Sequence, residues 1–224
     1  KTQITAKVLE AAEKLQAIGC FCIGVNQVDL KAATKKGVAV FNAPYSNTRS
    51  VAELVIGASI ILIRKIIDKN NAAHKGIWLK EAKGSYELRG KTLGIIGLGH
   101  IGAAIARRGF YGFNMNILYH NRREKPELAQ GLNAQYCQLD ELLQRSDFVV
   151  VAVDLNADSK ALIAAAELMK MQPHAVLVNI SRGSVIDEQA LIEALKAKQI
   201  FAAGLDVYQK EPLKESELFQ LDNV

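Results

Sequence analysis

The stretch Thr92-Leu93-Gly94-Ile95-Ile96-Gly97-Leu98-Gly99-His100-Ile101-Gly102 decides the fold. An apolar, β-prone run leads straight into three glycines spaced GxGxxG, and a helix is expected to open at His100. A strand that turns tightly into a helix aims the helix N-terminus, with its unpaired N–H groups and partial positive charge, at whatever lies above the turn. The glycines permit the turn, let backbone approach a pyrophosphate closely, and allow helix and strand to pack together. Gly97, Gly99, His100, Ile101 and Gly102 are therefore the first cofactor-binding candidates.

Working outward from that stretch, strand and helix patterns alternate regularly to the end of the chain. Strands are expected at Asn114–Tyr119, Ala134–Tyr136, Phe148–Val153, Ala175–Asn179 and Phe201–Asp206, with helices at Asp140–Gln144 and Asp187–Lys198. An unbroken apolar strand such as Phe148–Val153 fits a parallel sheet covered on both faces. The expected fold class is α/β, a doubly wound parallel sheet of Rossmann type. Before the stretch, Thr5–Leu15 reads as helix, Ala17–Ile23 as a strand, Val28–Lys36 as helix and Val38–Phe41 as a strand. These fit the remainder of a second, smaller flavodoxin-like α/β domain, expected at residues 1–45, with the dinucleotide domain at 46–224. Ser46–Ser50 supplies capping residues for one long helix running to about Asn71. With Val55, Ile56, Ile60, Ile61, Leu62 and Ile63, that helix leaves few polar faces, so it is expected between domains or against a second subunit, which makes a homodimer the anticipated state.

About 20 residues past the first glycine, a carboxylate would hold the ribose 2′-hydroxyl of NAD. Here the second strand ends in His120-Asn121-Arg122-Arg123, with no acid. Guanidinium groups bind phosphate bidentately and stay charged, so Asn121, Arg122 and Arg123 point to a 2′-phosphate: NADP(H) is the preferred cofactor, with NAD(H) possible.

Composition excludes other classes. The chain has 28 basic and 23 acidic residues, a net charge of +5 that is scattered along the sequence, so nucleic acid is not an expected partner. Cys20, Cys22 and Cys137 form no zinc pattern and read as reduced core residues; no metal site is expected. The longest apolar run, near Leu54–Ile63, is broken by Gly57 and Ser59 and is too short to span a bilayer, so neither membrane nor secretory routing is expected and a cytoplasmic enzyme is the default. Asn179-Ile180-Ser181 matches a glycosylation acceptor but follows an apolar strand, and is discounted.

Three motifs in order, GLGHIG (97–102), NISRGSVID (179–187) and GLDVYQKEP (204–212), resemble the D-isomer-specific 2-hydroxyacid dehydrogenases. The front segments CFCIGVNQVDL and NAPYSNTRSVAEL look most like D-3-phosphoglycerate dehydrogenases, and the part after Lys91 more like glyoxylate/hydroxypyruvate and 2-ketogluconate reductases. The resemblance implies reduction of a small 2-oxo acid of the glyoxylate or hydroxypyruvate kind to the D-2-hydroxy acid, with D-3-phosphoglycerate oxidation as the alternative. It implies that Arg182 grips the substrate and is catalytic, that Glu211 pairs with a histidine and raises its pKa, that Asp206 faces the nicotinamide end, that Ile180 lies against cofactor, and that Asn47 lies near cofactor and substrate. The partner histidine is implied shortly after Val224; His74, His100, His120 and His174 match no such position. The chain, starting at Lys1, is thus expected to be trimmed at both ends, to bind cofactor and to be catalytically impaired as it stands. Asp154 departs from the resemblance, which has proline in that loop near the adenine. A rival reading is a dinucleotide-sensing binding module, since the resemblance extends to the C-terminal-binding-protein corepressors.

Overall fold

The computed structural model describes residues 2–82 and 84–224. The chain separates into two compact units, residues 1–48 and 49–224.

In the first unit, α1 (Ala6–Ala11), β1 (Ala17–Cys20), α2 (Leu30–Lys36) and β2 (Ala39–Asn42) alternate, and the two strands pair in parallel. Asp29 starts α2 because its carboxylate accepts the Ala32 N–H at 2.9 Å, and Gly37 ends it in the left-handed region at φ 72°. Lys36 then donates to the carbonyls of Leu9, Glu10 and Ala12, capping the carboxyl end of α1 with a cation. Leu9, Ile18, Cys20, Val28, Ala33 and Val38 form the core. Cys22 corrects the expectation of three core cysteines: it is exposed, with its thiol donating to the Gly24 carbonyl at 3.1 Å.

The second unit opens with α3 (Thr48–Ile63) and α4 (Ile66–His74). The single helix expected to about Asn71 is in fact two, because Lys65 takes a left-handed conformation at φ 51°. The buried residues of α3 are Ala52, Val55, Ser59 and Ile63, whereas α4 has none among its residues, so nothing in the core extends the helix past Ile63.

There follow β3 (Thr92–Ile96), α5 (His100–Arg107), β4 (Asn116–His120), α6 (Pro126–Ala129), β5 (Gln135–Tyr136), α7 (Leu139–Arg145), β6 (Phe148–Val151), α8 (Ala165–Leu168), β7 (Val176–Asn179), α9 (Glu188–Lys196) and β8 (Ala202–Leu205). The six strands from β3 onward form one parallel sheet in the order β5-β4-β3-β6-β7-β8. Alternate residues of β6 show why the strand is apolar throughout. Phe148 and Val150 pack with Val55, Ala103 and Ile105 from α3 and α5, while Val149 and Val151 pack with Leu142, Leu168 and Leu191 from α7, α8 and α9. Some edges differ from expectation. The strand expected from Asn114 starts at Asn116 because Asn114 is left-handed at φ 52°, and α6 and α8, one turn each, are too short to show a periodicity.

Candidate cofactor cleft and substrate edge

Because all six strands run the same way, their carboxyl ends meet at one edge of the sheet. The chain leaves β3 toward β4 on one side and returns to β6 on the other, so the loops after β3 and β6 part at a switch point where such sheets open a crevice.

The phosphate-type loop is built by close approach. Gly97 lies at φ 101°, and a Cβ there would come within 2.5 Å of the Ala152 carbonyl oxygen; a Cβ on Gly102 would collide with the Gly97 carbonyl. Gly99 differs from both: a side chain there would meet nothing within 4 Å. That open face lies directly before the first turn of α5, whose N–H groups have no intrahelical acceptor. The backbone thus provides a concave, positively polarised surface fit for a pyrophosphate.

Asn121 is tied to this loop, its side-chain oxygen accepting the Leu98 N–H at 2.6 Å, and Tyr136 donates its hydroxyl to the Asn121 carbonyl at 3.3 Å. Gly97, Gly99, Asn121 and Arg122 face Asp154 and Asp158 across a cleft of about 280 Å³. Arg122 reaches Asp158 at 3.5 Å. Arg123 is exposed on the same turn but does not line the cleft, and Ile101 and Gly102 lie behind His100 in the first turn of α5.

Past β7, the loop carrying Arg182 is organised by Asn179, which is 1% exposed. Its side-chain oxygen accepts the Ser181 N–H at 3.0 Å and the Ser181 hydroxyl at 2.8 Å, and its amide donates to the Arg182 carbonyl at 3.1 Å. Burial and full hydrogen bonding explain why the acceptor motif at 179–181 is a loop brace. Ile180 lies partly buried between these residues, and the Arg182 side chain is exposed, donating to the Ser181 carbonyl at 2.7 Å.

The loop after β8 is pressed onto this one, since a Cβ on Gly183 would collide with the backbone of Tyr208 and Gln209. Gln209 adds a side-chain bond to the Ile186 carbonyl at 3.0 Å and a backbone bond to Glu188 at 3.2 Å. Glu211 accepts the Tyr208 N–H at 3.3 Å. Partial burial, and then the charge of Glu211, raise the Asp206 carboxyl above its ordinary value. Arg182, after β7, therefore shares one corner of the edge with Asp206 and Glu211, after β8, two and three strand spacings or roughly 10 and 14 Å from the loop after β3. Asn47 belongs to the other compact unit, exposed in the turn before α3.

The four histidines lie elsewhere. His174 precedes β7 at the opposite edge, bonded to Asp147 at 2.7 Å; His120 ends β4 with Nδ1 3.0 Å from the Cys137 carbonyl oxygen; His100 opens α5; and His74 ends α4. Among the described residues no group of three or more His, Cys, Asp or Glu could hold a metal ion, and no helix is long and apolar enough to cross a membrane.

Sequence reasoning passed over Asn179, Asp158 and Gln209. A lone polar residue closing an apolar strand was the signal for Asn179; the other two act through contacts between distant loops and left none.

A parallel doubly wound sheet with a glycine loop at its switch point defines the class of Rossmann-type dinucleotide-binding domains. Residues 56–224 match the family model for the NAD binding domain of D-isomer specific 2-hydroxyacid dehydrogenases, and the chain belongs to that family. It is 46% identical to the D-3-phosphoglycerate dehydrogenase of Escherichia coli K12 across 100% of this chain and 55% of that protein. The chain thus spans about half the length of the curated relatives it matches. Among solved structures, a glyoxylate reductase from Paecilomyes thermophila superposes with a TM-score of 0.88 at 36% identity, covering 97% of this chain and 66% of that one. An acyclic imino acid reductase in complex with NADPH and D-Arg gives a TM-score of 0.88 at 30% identity, covering 100% and 71%.

Proposed function

We propose that this chain carries the cofactor-binding part of an oxidoreductase acting between a small 2-oxo acid and its D-2-hydroxy acid. The observation that carries the reading is the sharing of one sheet edge by the glycine loop and the Arg182–Asp206–Glu211 corner. The nicotinamide dinucleotide supplies the hydride. The open face of Gly99 and the first turn of α5 hold its pyrophosphate, and Arg122 holds the adenosine end. Arg182 grips the substrate carboxylate and orients the carbonyl, because a planar guanidinium can engage two oxygens at once. Glu211 keeps a protonated donor charged beside the developing alkoxide. That donor is none of the four histidines present, since none stands in the corner.

With no acid among residues 120–123 at the end of β4 and two arginines there, NADP(H) is the proposed preference, and the NADPH-bound imino acid reductase supports it. For the substrate, whole-chain identity favours D-3-phosphoglycerate, while the glyoxylate reductase likeness favours the smaller acid. Titration with NADH and NADPH, followed by turnover of D-3-phosphoglycerate and of glyoxylate, tests both choices. Saturable dinucleotide binding with preferential use of one acid supports the reading; binding of neither cofactor defeats it.

The proposed setting is cytoplasmic and the proposed partner a second copy of the chain, docked on α3 and α4, where Leu54, Ile61, Ile66 and Ile67 are exposed. Ile61→Glu should then give monomers in sedimentation, and a monomeric unsubstituted protein would refute the dimer. Ile60 is the poorer probe, being packed against the core.

A further inference from the structure

We infer that Asp158 sets how strongly the cleft distinguishes a phosphorylated from an unphosphorylated adenosine ribose, by competing for Arg122. The inference rests on the cleft being the dinucleotide site.

The two residues stand on opposite walls, Arg122 in the turn after β4 and Asp158 in the loop after β6, and their side chains meet at 3.5 Å across the opening. Neither wall is loose. On one side Asn121 is bonded to the Leu98 N–H. On the other, Asn156 accepts the N–H groups of Asp158 and Ser159 at 2.9 and 3.1 Å. Ser159, 6% exposed, donates its hydroxyl to the Asp154 carbonyl at 2.6 Å and accepts the Asn156 N–H at 2.8 Å. The carboxylate of Asp158 is therefore presented to Arg122 on a braced turn.

Both side chains are largely exposed, at 81% and 76%, so their pairing contributes little to folding. Its consequence is for ligand choice. A 2′-phosphate seeking the Arg122 guanidinium finds a carboxylate already there and must displace or tolerate it, whereas a 2′-hydroxyl brings no charge to repel. The cost falls on one cofactor alone, and specificity is such a difference between two affinities. Asp158 thus restrains a preference that Arg122 creates.

Fluorescence titration of NADPH and NADH against the unsubstituted protein, Asp158→Asn, Asp158→Glu, Arg122→Gln and the Asp158→Asn/Arg122→Gln double variant tests this. Asp158→Asn should tighten NADPH about 3- to 10-fold and leave NADH within about twofold. Asp158→Glu, which keeps the charge, should behave as the unsubstituted protein. In the Arg122→Gln background the gain should shrink to about twofold or less, and raised salt should erode it in every case. Equal changes for both cofactors, or no change in either, would overturn the inference while leaving the cleft intact as a dinucleotide site. Failure of the unsubstituted protein to bind either cofactor would overturn both.

Discussion

At the amino edge of the six-stranded sheet, Asp147 accepts the Thr92 N–H at 2.7 Å, meets His174 at 2.7 Å and Lys91 at 3.8 Å, and keeps only 16% of its side chain exposed. Tyr86 closes that cluster, donating its hydroxyl to the His174 carbonyl at 2.8 Å while its ring packs against Phe148 and Phe201; burial, then the Asp147 charge, push its phenol well above the ordinary range. At the carboxyl edge, Arg122, Arg182 and Glu211 are exposed; Arg182 and Glu211 bond to backbone of their own loops, and Arg122 meets the likewise exposed Asp158 at 3.5 Å. The same residue types serve two ends. Where a largely buried carboxylate such as Asp147 is paired across elements it holds strands in place; where loops fix the backbone and leave charged tips outward, the tips remain available to a ligand.

The contrast predicts a division of effects between the edges. Arg182→Ala should lower kcat/KM for the 2-oxo acid by about 10²- to 10³-fold, the loss of a charged two-point contact, without altering the urea midpoint or dinucleotide affinity. A comparable fall in stability would break the contrast. Asp147→Ala should do the reverse, removing about 2 kcal/mol of stability through the stranded Thr92 N–H and the lost ion pairs while dinucleotide affinity stays unchanged.

The smallest effect sharpens the comparison by pH. The Asp206 carboxyl titrates above its unfolded value near 4, so its contribution to stability is full below that pH and is lost as pH rises through the raised folded value. Asp206→Asn should therefore raise the unfolding free energy read from urea titration slightly at neutral pH, by less than about 0.5 kcal/mol, with the gain vanishing below pH 4 or so. A gain that persists in acid would mean that Glu211 and burial do not act on Asp206 as described.

Much of this was legible in the residues, and unevenly so. The strand-glycine-helix signature at 92–102 needs only local geometry, and the unbroken apolar run of β6 betrayed its burial on two faces, whereas the largely apolar β2 is mostly exposed. The break at Lys65 was hidden because Ile66 and Ile67 continue an apolar pattern that the fold leaves exposed. The positions of Arg122 and Arg182 could be read from their place after strands. That Arg122 faces an acid from another loop, and that Gly183 lets the Arg182 and Glu211 loops lie against each other, depends on contacts 25 or more residues apart, which no local pattern encodes.

Dinucleotide binding at the carboxyl edge should leave the amino edge untouched. Hydrogen exchange of the backbone with and without saturating NADPH reads both edges at once. Added protection is expected in residues 97–102, 120–123 and 152–159, and none around Thr92, Asp147 and His174. Protection centred on Asp147 and His174, or none in the glycine loop while cofactor is bound, would contradict that expectation.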